Sequence, residues 1–172
     1  MTELYKACTT GDTKAVRRLL ADPSVDPSNN FTILCVACND GHVEIVRLLL
    51  ADPRVDAGSA NNLEIRCASK IGHVEIVRLL LADPKVNPAI RNNAPIRWAS
   101  LYGHVEVVRL LLADYRVNPA DLHNHAIRTA CRNNHVEVVC LLLQDSRVDA
   151  SKAKSNNPEI REILAQWKYH PR

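Results

Sequence analysis

The sequence predicts an all-α fold of stacked two-helix units, and two observations carry that prediction. The first is a segment, Gly-His-Val-Glu-Ile-Val-Arg-Leu-Leu-Leu, that begins at Gly72 and returns almost unchanged at Gly41 and Gly103 and more loosely at Asn134. The fixed period of 31 residues indicates stacked supersecondary units rather than one globular core. The second is composition: 47% of the residues are hydrophobic but only 4% are aromatic, so the interior must consist of Leu, Ile, Val and Ala.

The first unit is the least regular, as the terminal unit of a repeat array should be. A short helix is predicted over residues 4–8 and ends at Gly11. Asp12 is expected to cap a second helix over residues 15–21, because its carboxylate can accept from the free amides of the first turn. Asp22 precedes Pro23 and is therefore disfavoured in helical conformation, so the helix stops there.

Three full units follow, each with a first helix, a turn and a second helix. The glycine of the turn suits a left-handed residue, and asparagine at position 134 is the next most tolerant choice. The second helix shows helical spacing of apolar residues at Val43, Val46 and Leu49. Glu44 and Arg47, like their copies, belong to a solvated outer face. Each connection that follows, such as residues 52–56, reads as a tight turn around one buried valine.

The last connection is two residues longer than the others, so residues 152–157 are predicted to form a looser turn. Pro158 then begins a closing helix that runs to about residue 168. The repeat units are predicted at about 1–28, 29–59, 60–90, 91–121 and 122–152, followed by the closing segment 153–172 in one array over 1–172.

The chain resembles the ankyrin repeat family, in a short variant with 31-residue repeats. The resemblance rests on the repeated segment, the small residue pair before it and the Val-Asp or Val-Asn turn after it. It implies a solenoid of stacked antiparallel helix pairs, with first helices on a concave face and short turns projecting beside it. It also implies binding to other proteins without catalysis. The family's Thr-Pro-Leu-His opening survives only in pieces, and Asn62, Asn93 and Asn124 are expected to cap the first helices instead.

Metal, cofactor and membrane functions find little support in the residues. Cys35 and Cys38 have CxxC spacing, but no further ligands accompany them, so they are predicted to be buried, reduced and metal-free. No phosphate loop or serine elbow is present, and histidines spaced one per repeat lie too far apart to share a substrate. No apolar run reaches the length of a membrane span, and the start lacks a signal peptide. We therefore predict a cytoplasmic protein without enzyme activity or cofactor, leaving a nuclear location open.

The predicted function is binding of a partner protein, through the concave face and the projecting turns. The candidate contacts are positions that vary between otherwise uniform repeats: Lys70, Ile71, Leu101, Tyr102, Arg132 and Asn133 after the small pair, and Arg91 and His123 on the turns. Ile71, Leu101 and Tyr102 would form an apolar strip. Two alternatives stay open: a structural spacer or adaptor module of a larger assembly, and weak nucleic-acid binding in a basic groove. The net charge of +3 and the scarce aromatics argue against the latter.

A row of arginines, Arg66, Arg97 and Arg128, recurs with the same 31-residue spacing. Each guanidinium could hydrogen-bond an oxygen of the neighbouring projecting turn, or the row could form a positive stripe that selects an acidic partner. The structural role is favoured because the same substitution returns in successive units. The partner is thus an unknown protein, acidic if the row is functional. A monomer is expected because both terminal units look capped.

Overall fold

The computed structural model describes residues 2–28 and 31–169, which form eleven α-helices and one short 3-10 helix and contain no strand. The helices are α1 Glu3–Thr10, α2 Thr13–Leu20, α3 Phe31–Asn39, α4 Val43–Ala51, α5 Leu63–Ile71, α6 Val74–Ala82, α7 Ile90–Tyr102, α8 Val105–Leu112, α9 Asp121–Arg132, α10 Val136–Leu143 and α11 Pro158–Tyr169, with the 3-10 helix at Ala150–Lys152. The predicted all-α fold is confirmed. None of the helices in these ranges is long and apolar enough to cross a membrane.

The helices fall into two compact units. The first comprises the described residues up to 68 together with 73–87, and the second comprises 69–72 together with those from 88 onward. Within the first unit α1 packs on α2 and α3, α3 packs on α4, and the second helices α2, α4 and α6 lie in sequence beside one another. Within the second unit α7 packs on α8 and α9, and α10 packs on α8, α9 and α11. Each unit therefore has a layer of first helices and a layer of second helices.

The core of each unit is aliphatic, as the composition predicts. The same three positions are fully buried in every inner second helix: Ile45, Val46 and Leu49; Ile76, Val77 and Leu80; Val107, Val108 and Leu111; Val138, Val139 and Leu142. The exposed side carries the predicted ion pairs, for example Arg109 to Glu106 at 3.3 Å. Such exposed pairs add little to stability, so the buried aliphatic positions carry the fold.

The turn between the two helices of a repeat has the predicted backbone. Gly103 has a φ of 76° and Asn134 has a φ of 61°, both in the left-handed region. Asp12 caps α2 as predicted, since its Oδ1 accepts from the Ala15 amide at 3.0 Å.

The asparagines before the first helices act differently from the prediction. Asn62, Asn93 and Asn124 are buried, and their Oδ1 atoms accept from the backbone amides of Asn87, Asn118 and Asp149 at 2.6, 2.7 and 2.8 Å. Each acceptor thus lies 25 residues before its donor, and the donor amide belongs to the connection that follows the second helix of the same repeat. The prediction that these side chains cap the first helices was wrong, because each Oδ1 atom accepts its hydrogen bond from a connection and not from the first turn of the helix. Their backbone is left-handed, with φ between 50° and 61°. Residues 91–93 and 122–124 therefore break α7 and α9, and the regular part of each of these helices begins after its asparagine.

Three connections carry an Asp-x-Arg pair that the sequence did not single out: Asp52/Arg54, Asp114/Arg116 and Asp145/Arg147. In each, Nε donates to one carboxylate oxygen at 2.9 Å and Nη2 to the other at 2.6 Å. The arginine hydrogen bond lowers the pKa of each aspartate because it favours the charged form. Arg147 also donates to the Val117 carbonyl at 2.8 Å, so this pair ties one connection to the previous one.

The closing helix α11 follows the predicted pattern. Ile160 and Leu164 are buried, and Ile163 and Trp167 are half-buried. Asn157 Oδ1 accepts from the amides of Glu159 and Ile160 at its start. The long connection before it is more ordered than predicted, because it contains the 3-10 helix Ala150–Lys152.

Candidate functional site

All eight predicted partner-binding candidates lie in the second unit. Most are exposed: Lys70, Ile71, Arg91, Tyr102, His123, Arg132 and Asn133, whereas Leu101 is half-buried. Ile71 and Tyr102 are 40% and 47% exposed, which is unusual for large apolar side chains in this chain. Ile71 and Tyr102, two of the three residues of the predicted apolar strip, are thus exposed to solvent.

Lys70 lies over two aromatic rings of α7. Its Nζ is 4.9 Å from the centroid of the Trp98 ring and 6.0 Å from that of Tyr102. Trp98 and Tyr102 are four residues apart on one helix, so their side chains lie on the same face. A cation over an aromatic face within about 6 Å is stabilised by about 0.5–1 kcal/mol at an exposed site. We call Lys70, Trp98 and Tyr102 the aromatic platform.

Trp98 was missed as a candidate by sequence reasoning, although a signal for it existed. It occupies the place that Cys67 holds one repeat earlier, and it precedes Tyr102 by one helical turn. Two of the few aromatic residues of the chain therefore fall on one helix face. What the sequence did not indicate is that Lys70, 28 positions earlier, lies over both rings.

Histidines of the repeated segment hold the backbone beneath the candidates. Nε2 of His73, His104 and His135 lies 3.1, 2.9 and 3.0 Å from the carbonyl oxygens of Asn39, Lys70 and Leu101. A carbonyl only accepts, so Nε2 carries the proton in each case. These imidazoles are therefore occupied in tying one repeat to the previous one. Two of the carbonyls they bind belong to candidate residues, which fixes the backbone that presents those side chains.

The three arginines of the predicted row differ in their contacts. Arg97 donates from Nε to the carbonyl of Asn92 at 2.9 Å and from Nη2 to that of Arg91 at 3.1 Å. Both acceptors lie in the left-handed turn of its own repeat, whereas the structural interpretation expected the neighbouring one. Arg66 lies in the first unit, and its buried Nε has no hydrogen-bond partner in the described part of the chain.

Arg128, the third member, belongs to a group of positive charges around His125. The imidazole is half-buried, and its pKa is lowered first by burial and then by the charges of Arg97, Arg128 and Arg132. The second unit therefore contains a local excess of positive charge around His125 that the net charge of the whole chain does not reveal.

The cysteines of the CxxC motif lie near a buried carboxyl group. Cys38 is buried as predicted, but Cys35 is half-buried, so that part of the prediction was wrong. A hydrogen bond with Cys67 and then burial raise the pKa of the Cys35 thiol, and burial raises that of Cys38. Within residues 2–28 and 31–169, no group of three or more His, Cys, Asp or Glu could hold a metal ion. Nothing in this cluster points to thiolate chemistry.

Glu64 is the buried carboxyl group beside these thiols, and sequence reasoning drew no prediction for it. It is 1% exposed, and its Oε2 has no hydrogen-bond partner among the described residues. Its pKa is raised to about 7, chiefly by burial and to a smaller extent by Cys67 and Asp56, against a lowering contribution from a hydrogen bond with its own backbone amide. This carboxyl group is a titratable element of the first unit.

The family model for ankyrin repeats (3 copies) matches residues 1–61 and 65–156. Among curated proteins, none matches the chain.

Proposed function

Because the chain belongs to the ankyrin repeat family, we propose that it is a non-enzymatic module that binds a partner protein through the second unit. Ankyrin repeats are in general protein–protein interaction modules. The proposed contact surface comprises Lys70, Ile71, Leu101, Tyr102, Arg132 and Asn133, with Arg91 and His123 on the turns and Trp98 added from the structure. The concave face is the proposed location of this surface.

The observation that supports the proposal best is the aromatic platform beside exposed apolar side chains. Tyr, Trp and Arg are the residues that most often dominate the energy of protein interfaces, because they combine large contact area with hydrogen-bonding ends. Ile71 and Tyr102 expose apolar surface that a partner could cover. The histidine bonds to the carbonyls of Lys70 and Leu101 reduce the conformational freedom that binding would have to restrict.

The proposed setting is a reducing intracellular compartment, and the proposed state is a monomer. All six cysteines are free, which suits a compartment that keeps thiols reduced. Light scattering should then give a mass near 19.2 kDa. A mass of twice that value would contradict the proposed monomer.

Affinity capture from a lysate of the source cells tests the surface. The variant Lys70→Ala/Tyr102→Ala removes the cation and one ring of the aromatic platform. The matched control Lys14→Ala/Tyr115→Ala removes the same residue types, both exposed and both outside the proposed surface. Wild type and control should recover the same partner, and the platform variant should lose it while its urea unfolding stays close to that of the control. Equal recovery by all three proteins would show that the partner binds elsewhere.

A further inference from the structure

We propose that the second unit carries a phosphate-binding cavity that receives a phosphorylated serine or threonine side chain of the partner protein. This inference rests on the protein-binding function proposed above and adds the chemistry of the partner. The cavity has a volume of about 670 Å³ and lies between α9 and the connection that follows α10. Its cationic lining consists of Arg128, Arg132, Lys152 and Lys154, and His123 and Asn156 also line it.

The cations that line the cavity are largely unneutralised. No carboxylate is among the described residues that line it. Arg128, Arg132 and Lys154 have no hydrogen bond or ion pair from their side chains to any other described residue, and Lys152 reaches only Asp149, at 3.9 Å. Arg147, earlier in the connection that follows α10, differs from them because it is paired with Asp145 at 2.6 Å. Three cations that lack acidic partners among the described residues, together with Lys152 and its single long contact, make an electrostatic site for an anion.

The wall of the cavity is held by hydrogen bonds rather than left as an open loop. Ser155 Oγ donates to the carbonyl of Cys131 in α9 at 3.1 Å, and it accepts from the Asn157 amide at 3.1 Å. The Asp149 amide donates to Asn124 Oδ1 at 2.8 Å, and Ala153 is buried between these anchors. The two additional residues of this connection therefore form a fixed strap that brings Lys152 and Lys154 to the same cavity as the two arginines.

The geometry favours a phosphate monoester over other anions. Arg128 and Arg132 lie one helical turn apart on α9, and guanidinium groups match the oxygens of a phosphate with paired N–H donors. A phosphorylated side chain carries a charge of about −2 at neutral pH. A cluster of several cations suits this charge better than the single negative charge of a carboxylate. A single-stranded nucleic acid would need aromatic rings for base stacking, and no Phe, Tyr or Trp is among the described residues that line the cavity.

Fluorescence anisotropy with a defined peptide tests the proposal. The probe is a fluorescein-labelled Gly-Ser peptide of twelve residues with one phosphothreonine, compared with the same peptide without phosphate and with a twelve-nucleotide oligothymidine. Wild-type protein should bind the phosphopeptide at least about tenfold more tightly than the unphosphorylated peptide, a difference of about 1.4 kcal/mol. It should bind the oligothymidine less tightly than the phosphopeptide. Equal binding of the two peptides, or tighter binding of the oligonucleotide, would overturn the proposal.

A pair of charge-matched variants assigns the binding to the cavity. Lys152→Gln/Lys154→Gln removes two exposed cations of the lining, and Lys6→Gln/Lys14→Gln removes two exposed lysines of the first unit. The first should weaken phosphopeptide binding by about tenfold, and the second by less than twofold because it changes only the net charge. An equal loss in both would mean non-specific attraction and would reject the site. Neither variant alters the aromatic platform, so the partner capture described above can fail or succeed independently of this result.

Discussion

Replacing Gly103 by alanine tests how the histidine of one repeat packs on the turn of the previous one. A Cβ at this position would lie 2.5 Å from Nδ1 and 2.7 Å from Cε1 of His135. The left-handed backbone of Gly103 alone costs an alanine about 1–2 kcal/mol. The ring must also move, which breaks the 3.0 Å hydrogen bond from His135 Nε2 to the carbonyl of Leu101, worth about 1 kcal/mol. We expect Gly103→Ala to lower the free energy of unfolding by about 2–3 kcal/mol.

A double-mutant cycle separates these two contributions. In a His135→Ala background only the backbone strain remains, so Gly103→Ala should cost about 1–2 kcal/mol there. The difference between the two backgrounds, about 1 kcal/mol, is the coupling between the turn and the ring. Urea unfolding followed by circular dichroism measures all four proteins. The same cost of Gly103→Ala in both backgrounds would refute the reasoning, since the ring would then carry no energy at this contact.

Asn134 provides the matched control for this cycle. Its φ of 61° is also left-handed, but the repeated segment does not return after it, so no following histidine of that segment packs on it. Asn134→Ala should therefore show the backbone cost without the cost of moving a ring. The lack of a following histidine ring explains why asparagine is tolerated at position 134, where the inner units carry glycine.

Three further predictions concern an ion pair, a buried carboxyl group and the arginine row. Arg147→Ala should lower the free energy of unfolding by about 1–2 kcal/mol at pH 7, after allowance for its partial exposure. The pKa of Asp145 is lowered in the fold, so this difference should persist above about pH 4 and shrink as the carboxylate is protonated below it, as urea midpoints at pH 7 and pH 3 would show. The pKa of Glu64 is raised to about 7, so its contribution to stability is fully present below the unfolded pKa of about 4.5, and the free energy of unfolding should fall on its account by up to roughly 3 kcal/mol as the pH rises from 5 to 8. Glu64→Gln should remove that decline relative to wild type in the same assay, and an equal decline in both proteins would reject the assignment. Arg97→Ala removes two hydrogen bonds to carbonyls and should cost about 1–2 kcal/mol; an unchanged urea midpoint would favour a binding role for the row.

The sequence by itself determined the helices, the turns and the aliphatic core. These features depend on residues close together in the chain: the spacing of Ile45, Val46 and Leu49 places them on one helix face, and glycine or asparagine at the turn permits a left-handed backbone. Repetition then makes each copy a check on the others, since the same substitution pattern must suit the same local structure four times. The family resemblance was visible for the same reason.

Only the tertiary structure decided which side chains meet between neighbouring repeats. The cation over the Trp98 ring belongs to Lys70, 28 positions earlier, and Asn62 Oδ1 accepts from a backbone amide 25 positions later. Local propensity favoured a helix cap for that asparagine, but the unpaired amide of the next connection competes for the same oxygen, and burial decides the outcome. The cationic cavity likewise combines Arg132 with Lys154 from a separate segment. Such contacts are set by packing and desolvation across repeats, which the one-dimensional pattern does not contain.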